Sequence, residues 1–397
     1  MKKALAAIIG LLFIFSSAFA ECVFLPDALT RIEASTFASN SSLTRILFGE
    51  NLIFIGKNAF AGCSSLVDIC AYNKKEVIVE TGAFHDVPIG FTIQTFLGKM
   101  TAEDIEKEKK LPARPRYRAL LVGETYNGIE ELQLKGCDKD ADSMHQVLEA
   151  LTLTEYESTS ICKLIDASRS QIITEINKLA QDSVDTDVTF FYFSGHGEAG
   201  GILVGYDAER YDEENEWDEW LYPARLRNEL HKIKGKKIVV VDACYSGGLI
   251  GRSKNDNLSQ EFAKGFLFAF TDDISPRSGE LADNNGEFNV LVSCSVREDA
   301  NILETETGVA LSLFTFFFQK TIGYDRLLWK MTNDLPGDRN GDFLLTLEEI
   351  YEYIQDETTK FIKEWNDLHN DENPINQTVQ VWPDNSSFVV FGHRPKE

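Results

Sequence analysis

From Tyr117 onward, short apolar runs alternate with segments whose apolar positions recur every three or four residues. The runs at 117–123 (YRALLVG), 161–166 (ICKLID), 187–195 (DVTFFYFSG), 236–243 (KKIVVVDA) and 288–295 (FNVLVSCS) predict strands. They are continuously apolar rather than alternating, as expected of strands in a sheet covered on both faces. Between them, 138–151 sets Ala141, Met144, Val147, Leu148 and Leu151 on one helical face. Ser168 suits the N-cap of a second helix and Pro223 the first turn of a third. Further helices are predicted at 307–323 and 346–366. Repeated strand–helix–strand order predicts an α/β fold, with a mostly parallel sheet flanked by helices.

The first hundred residues follow another pattern. RIEASTFASNSSLTRILF is followed by FIGKNAFAGCSSLVDICA and then by IVETGAFHDV. Phe37, Phe60 and Phe84 recur at intervals of 23 and 24, and Leu43/Leu66 and Ile46/Ile69 at 23. Units of this length stack to bury a continuous apolar row. The spacing of Ile, Phe, Leu and Ile resembles the BspA-like class of leucine-rich repeats, here as a short module of two and a half units over 21–96. Residues 97–116, LGKMTAEDIEKEKKLPARPR, are charged and poor in apolar residues, and read as a linker with a short helix.

The net charge of −24 over 397 residues argues against nucleic acid and against an anionic membrane surface as partners. Residues 1–20 carry two lysines, an apolar run and a closing Ala18-Phe19-Ala20, the layout of a secretory signal peptide. Secretion to the periplasm, cell surface or medium is therefore expected, with no membrane span in the rest of the chain. Seven cysteines follow (Cys22, Cys63, Cys70, Cys137, Cys162, Cys244 and Cys294), an odd count that leaves at least one free thiol. Cys63 with Cys70 or with Cys22 are candidate pairs, and no C-x-x-C spacing suggests zinc.

Two predicted strands end in unusual residues. One ends Ser194-Gly195-His196-Gly197, the other Asp242-Ala243-Cys244-Tyr245-Ser246-Gly247-Gly248. Alone, each reads as a turn histidine or a structural cysteine. Together, 48 positions apart with one helix between them, they put an imidazole and a thiol at the carboxyl edge of one sheet. That combination supplies a nucleophile and a base, and the glycines let backbone N–H groups approach a developing oxyanion.

YRALLVG, LKGCDKDADSM, FFYFSGHG and VVVDACYSGG together make residues 117–395 resemble the caspase-like cysteine peptidases, in particular the metacaspase-like bacterial members. The resemblance implies a His196–Cys244 dyad and an oxyanion hole from the N–H groups of Gly197 and Cys244. It also implies a specificity pocket at Cys137, Asp140, Ser194 and Asp242. Two carboxylates there suit an arginine or lysine of a protein substrate. A carboxylate as near the nucleophile as Asp242 is also expected to raise the thiol pKa until a cation compensates. No cofactor is required. Calcium, often needed in the family, lacks its usual acid pair where Pro223 and Ala224 stand, and the acidic stretch 207–219 reads as a solvated loop before a cation site. A separate calcium candidate is 338–349, where Asp338, Asn340, Asp342, Thr346 and Glu349 hold positions 1, 3, 5, 9 and 12 of an EF-hand loop, with Phe343 in place of the turn glycine.

The expected function is a secreted cysteine endopeptidase cutting after Arg or Lys, with a protein partner for the repeats. The alternative is a surface-binding protein whose peptidase-like domain is an inactive scaffold. A ligase or transpeptidase using the same acyl-thioester is a third possibility. Arg252, Lys254 and Lys264, in a long polar segment after the nucleophile, and the basic residues of 109–116 are expected self-processing sites.

Overall fold

The computed structural model describes residues 22–393 except 152, 157, 207–219, 251–286, 306–307, 333 and 370–373. The predicted signal peptide, the acidic stretch 207–219 and Arg252, Lys254 and Lys264 lie outside the described residues. The chain divides into two units, one of residues 1–115 with 340–344 and 387–390, the other comprising the remainder.

In the first unit the 23-residue period becomes a ladder of parallel strands, Cys22–Phe24, Arg45–Phe48, Asp68–Ala71 and Thr92–Thr95. Cys22, Arg45, Asp68 and Thr92 stand in register, so the described ladder includes a rung before the unit marked by Phe37. A second row of short strands, Arg31–Ile32, Phe54–Ile55 and Val77–Val79, pairs parallel within itself on nearly the same period. Between the rows the repeated phenylalanines stack, Phe37 on Phe60 at 5.1 Å and Phe60 on Phe84 at 5.3 Å between ring centroids. Residues 97–115 contain the expected helix, Ala102–Glu108, and fall within this unit, while Arg116 falls in the other. Gly98–Thr101 closes one row antiparallel to Thr92–Thr95, and Lys110–Leu111 closes the other against Val77–Ile78. Within 97–116, Arg114 is buried and its N–H donates to Asn73 O, whereas Lys110 and Arg116 are exposed.

The second unit is built on a six-stranded sheet. Its elements are β1 (Tyr117–Gly123), α1 (Cys137–Ala150), β2 (Ile161–Ile165), α2 (Arg169–Gln181), β3 (Val188–Ser194), α3 (Pro223–His231), β4 (Lys236–Asp242), β5 (Phe288–Val292), α4 (Leu313–Thr321), α5 (Leu347–His369) and β6 (Gln380–Trp382). The strand order is β2-β1-β3-β4-β5-β6. β1 to β5 are parallel, and β6 lies antiparallel on the β5 edge. Every residue of β1 and β3 is buried, as their unbroken apolar runs require of strands covered on both faces. Ser168 and Gln171 form a reciprocal capping box at the start of α2. Pro223 opens α3, where its missing N–H costs nothing.

Three short hairpins and β6 were not foreseen. The apolar run expected as one helix over 307–323 divides instead: Ala310–Ser312 pairs antiparallel with Ile302–Glu304, and only Leu313–Thr321 is helical.

Candidate functional site

Register brings the two predicted strand ends together. Gly123, Ser194 and Asp242 stand side by side at the tips of β1, β3 and β4. His196 and Cys244 each lie two residues beyond the Ser194–Asp242 pair. Between them the chains touch, with Gly195 N–H donating to Asp242 O at 3.2 Å. A Cβ on Gly197 would lie 2.1 Å from Cys244 O, so glycine alone permits this approach.

His196 is held from two sides. Its backbone N–H donates to Tyr126 Oη at 2.9 Å, and the Tyr126 ring lies 4.9 Å from the imidazole. Its Nε2 is 2.8 Å from Leu132 O. A carbonyl oxygen only accepts, so this contact assigns the ring proton to Nε2 and leaves Nδ1 as the basic nitrogen. Both supports come from the loop after β1, which Asp166 pins by accepting from the N–H groups of Thr125 and Tyr126 at 2.6 and 2.8 Å. The orienting group is thus a backbone carbonyl, which no sequence motif could reveal.

Cys244 follows β4 half-buried, and the next residue, Tyr245, is left-handed at φ 57°. Burial pushes the Cys244 thiol up to about 11, with the charge of Asp299 adding to the rise. The expectation that Asp242 would be the carboxylate acting on this thiol is therefore corrected. Asp242 is engaged elsewhere, with Oδ2 accepting from Thr315 N–H at 3.2 Å and from Thr315 Oγ1 at 2.7 Å.

The four residues expected to line a specificity pocket lie near one another, but deep in the interior. Cys137, Asp140 and Ser194 are each 1% exposed and Asp242 4%. Ser194 Oγ donates to Asp140 Oδ2 at 3.1 Å, and Ser312 Oγ donates to the same oxygen. Burial, aided by the charge of Asp242, raises the Asp140 carboxyl to about 7, against the pull of Ser312, Arg326 and Ser194. Burial raises Asp242 to about 6, opposed by the hydrogen bonds from Thr315. Cys137 is pushed well above the usual thiol range, again by burial first. Arg326, which the motif reading did not single out, reaches Asp140 Oδ1 with Nη2 at 3.4 Å.

The calcium expectation at 338–349 finds no support. Asn340 Oδ1 accepts from Asp342 N–H, and Asp342 Oδ1 from Leu344 N–H, both at 2.9 Å. Asp342 Oδ2 also meets the Cys70 thiol at 3.3 Å. Thr346 and Glu349 are spent on each other at the start of α5, where Glu349 Oε2 accepts from Thr346 N–H and Oγ1. Phe343 takes the left-handed turn at φ 62° in place of a glycine. Among the described residues no group of three or more His, Cys, Asp or Glu is arranged to hold a metal ion. Cys63 and Cys70 are both free thiols, so the pairing considered for them does not form. No helix among the described residues is long and apolar enough to cross a membrane.

Comparison with known proteins places these features in context. The caspase domain family matches residues 116–341, and the BspA type leucine rich repeat region (6 copies) matches residues 10–93. Metacaspase-1 of Candida albicans is 28% identical over 229 residues, covering 49% of this chain and 50% of that one. Metacaspase-7 of Arabidopsis thaliana is 30% identical over 154 residues, covering 34% of this chain and 36% of that one. The chain thus spans half or less of the length of these curated relatives. Among solved structures, caspase-1 from Spodoptera frugiperda superposes with a TM-score of 0.42 at 13% identity, over 72% of this chain and 92% of that one.

Proposed function

The chain belongs to the caspase-domain family, with a BspA-type leucine-rich repeat region before that domain, and from this premise we propose that it is a cysteine endopeptidase cutting proteins after Arg or Lys. Nδ1 of His196 takes the Cys244 proton, and the thiolate attacks the scissile carbonyl. The same imidazole returns the proton to the leaving amine, and water releases the acyl group. A thiol raised to about 11 is protonated at neutral pH, so this transfer is a required step rather than a refinement. The N–H groups of Gly197 and Cys244 are the proposed oxyanion donors.

One observation carries the basic preference: Asp140 and Asp242 converge, with Ser194, at the end of β3 and β4 beside the nucleophile. Paired carboxylates in a buried pocket select a guanidinium or ammonium group. The test is cleavage profiling of the full chain on a peptide library, with Cys244→Ala as control. Cutting after Arg and Lys, abolished in Cys244→Ala, supports the reading, and efficient cutting after Asp overturns it. Failure of Cys244 to react with a peptidyl-arginine chloromethyl ketone would instead favour the inactive-scaffold alternative.

The proposal extends to export, on the composition of residues 1–20, and to a protein partner for the repeats. It also extends to self-cutting after Arg252, Lys254 or Lys264, which amino-terminal sequencing of fragments present in wild type and lacking in Cys244→Ala would detect.

A further inference from the structure

The acidic pocket already holds a basic side chain. Arg326 and Asp140 each have side chains 1% exposed, and Nη2 lies 3.4 Å from Asp140 Oδ1. The guanidinium sits over the Trp329 ring at 4.3 Å from its centroid. Nη1 is buried with no hydrogen-bond partner among the described residues.

A structural arginine in a protein interior normally spends its donors on paired, bidentate contacts, because the desolvation of its charge must be offset. Among the described residues Arg326 has one long contact to the pocket, and its Nη1 donor is left over. The segment carrying it is correspondingly slight. Tyr324–Asp325 pairs with Lys330–Met331 in a two-rung hairpin, too short to be stable on its own. Its tip exposes Leu327 and Leu328 at 59% and 61%. Trp329, whose ring covers the guanidinium, is left-handed at φ 52°, a strained conformation for a bulky residue. The contact is thus buried, poorly satisfied among the described residues, and mounted on a short hairpin whose tip is closed by Asp325 Oδ1 accepting from Leu327 and Leu328 N–H at 2.9 Å.

We propose that Arg326 is a built-in occupant of the specificity pocket, carried by the hairpin Tyr324–Met331 to the place where an arginine or lysine of a substrate would go. The inference rests on the basic-specificity reading above. It adds that the chain itself competes with substrate, and that displacement of the hairpin governs access. A pocket open for only a fraction of the time lowers apparent affinity for basic substrates by that fraction, leaving the nucleophile untouched.

The experiment uses the full chain, wild type against Arg326→Gln and Trp329→Ala, with a peptidyl-arginine coumarylamide as substrate, benzamidine as a free pocket ligand and iodoacetamide as a size-tolerant probe of Cys244. The expected result is a rise of about tenfold or more in kcat/KM for Arg326→Gln, mainly through KM, and a smaller rise for Trp329→Ala. Benzamidine should raise the Tm of Arg326→Gln and leave wild type unmoved, while iodoacetamide labels Cys244 alike in all three. If Arg326→Gln is folded but no faster on the arginyl substrate, or if benzamidine stabilises wild type equally, Arg326 is a structural ion-pair partner and the proposal fails. If Arg326→Gln does not fold, Trp329→Ala decides: unchanged kinetics overturn the proposal. Cleavage of acidic or apolar substrates in preference to arginyl ones, in wild type and variants alike, overturns the specificity reading itself, an outcome distinct from an arginyl-specific enzyme indifferent to Arg326.

Discussion

Gly197 lies so close to Cys244 that a Cβ on it would sit 2.1 Å from the Cys244 carbonyl oxygen. The obstacle is backbone, so no side-chain rotation relieves it. Gly197→Ala must therefore part the two segments that bear His196 and Cys244. Loss of one well-placed oxyanion donor alone costs about 10²–10³ in kcat, and a loss of at least that size is expected on an arginyl peptide, with the bulk of the sheet intact by circular dichroism. Activity within a few-fold of wild type would show that these glycines do not set the catalytic geometry.

Tyr126 Oη accepts from His196 N–H and donates to Val204 O at 2.7 Å, joining the imidazole segment to the loop that also supplies the Leu132 carbonyl. Tyr126→Phe keeps the ring against His196 and removes both bonds. The expected outcome is a fall of about tenfold in kcat with KM little changed, since the phenol orients the base rather than binding substrate. A rise in KM at constant kcat would place Tyr126 in substrate binding instead.

What could be read in the sequence follows from how each feature is encoded. β1 to β5 were legible because a strand buried on both faces must be an unbroken apolar run. The placement of His196 and Cys244 beyond neighbouring strand ends was legible because glycines frame them there. Leu132 contributes a carbonyl, which every residue has, so its part in holding the imidazole leaves no mark in the sequence. Arg326 sits on a hairpin whose paired stretches are two residues long, below the length at which alternation carries any signal. The hydrophobic row of the repeats was read through Phe37, Phe60 and Phe84, whereas the rung at Cys22–Phe24, inside the expected module, stands ahead of the first of those phenylalanines and has no periodic mark of its own. At 338–349 the ligand spacing of a calcium loop was present, but Glu349 turns back to cap α5 with Thr346.

Asp299 is the carboxylate that acts on the Cys244 thiol, raising a pKa that burial has already pushed up. Asp299→Asn removes that charge. The thiol pKa should fall, and the pH profile of iodoacetamide labelling at Cys244 should move to lower pH. The displaced midpoint is the measurement, and an unmoved one would mean that burial alone sets the thiol. The direction is opposite to that expected for loss of a thiolate-stabilising group, so the sign alone is diagnostic.

Asp242 links the pocket to stability. Its carboxyl is raised from 3.8 to about 6 by burial. A carboxyl that binds its proton more tightly in the folded chain than in the unfolded one contributes stability that is complete below about pH 4 and is lost as pH climbs through 6. The fully ionised state is therefore the costly one, by about 3 kcal/mol for a shift of this size at a fully buried group. Asp242→Asn keeps an oxygen to accept from Thr315 and cannot ionise. Its Tm relative to wild type should rise between pH 4.5 and pH 8, while turnover of arginyl peptides falls because the pocket has lost a charge. Thermal denaturation of both proteins at the two pH values checks the sign. A Tm difference that is constant with pH, or that shrinks as pH rises, would mean that Asp242 carries no raised pKa in the folded chain.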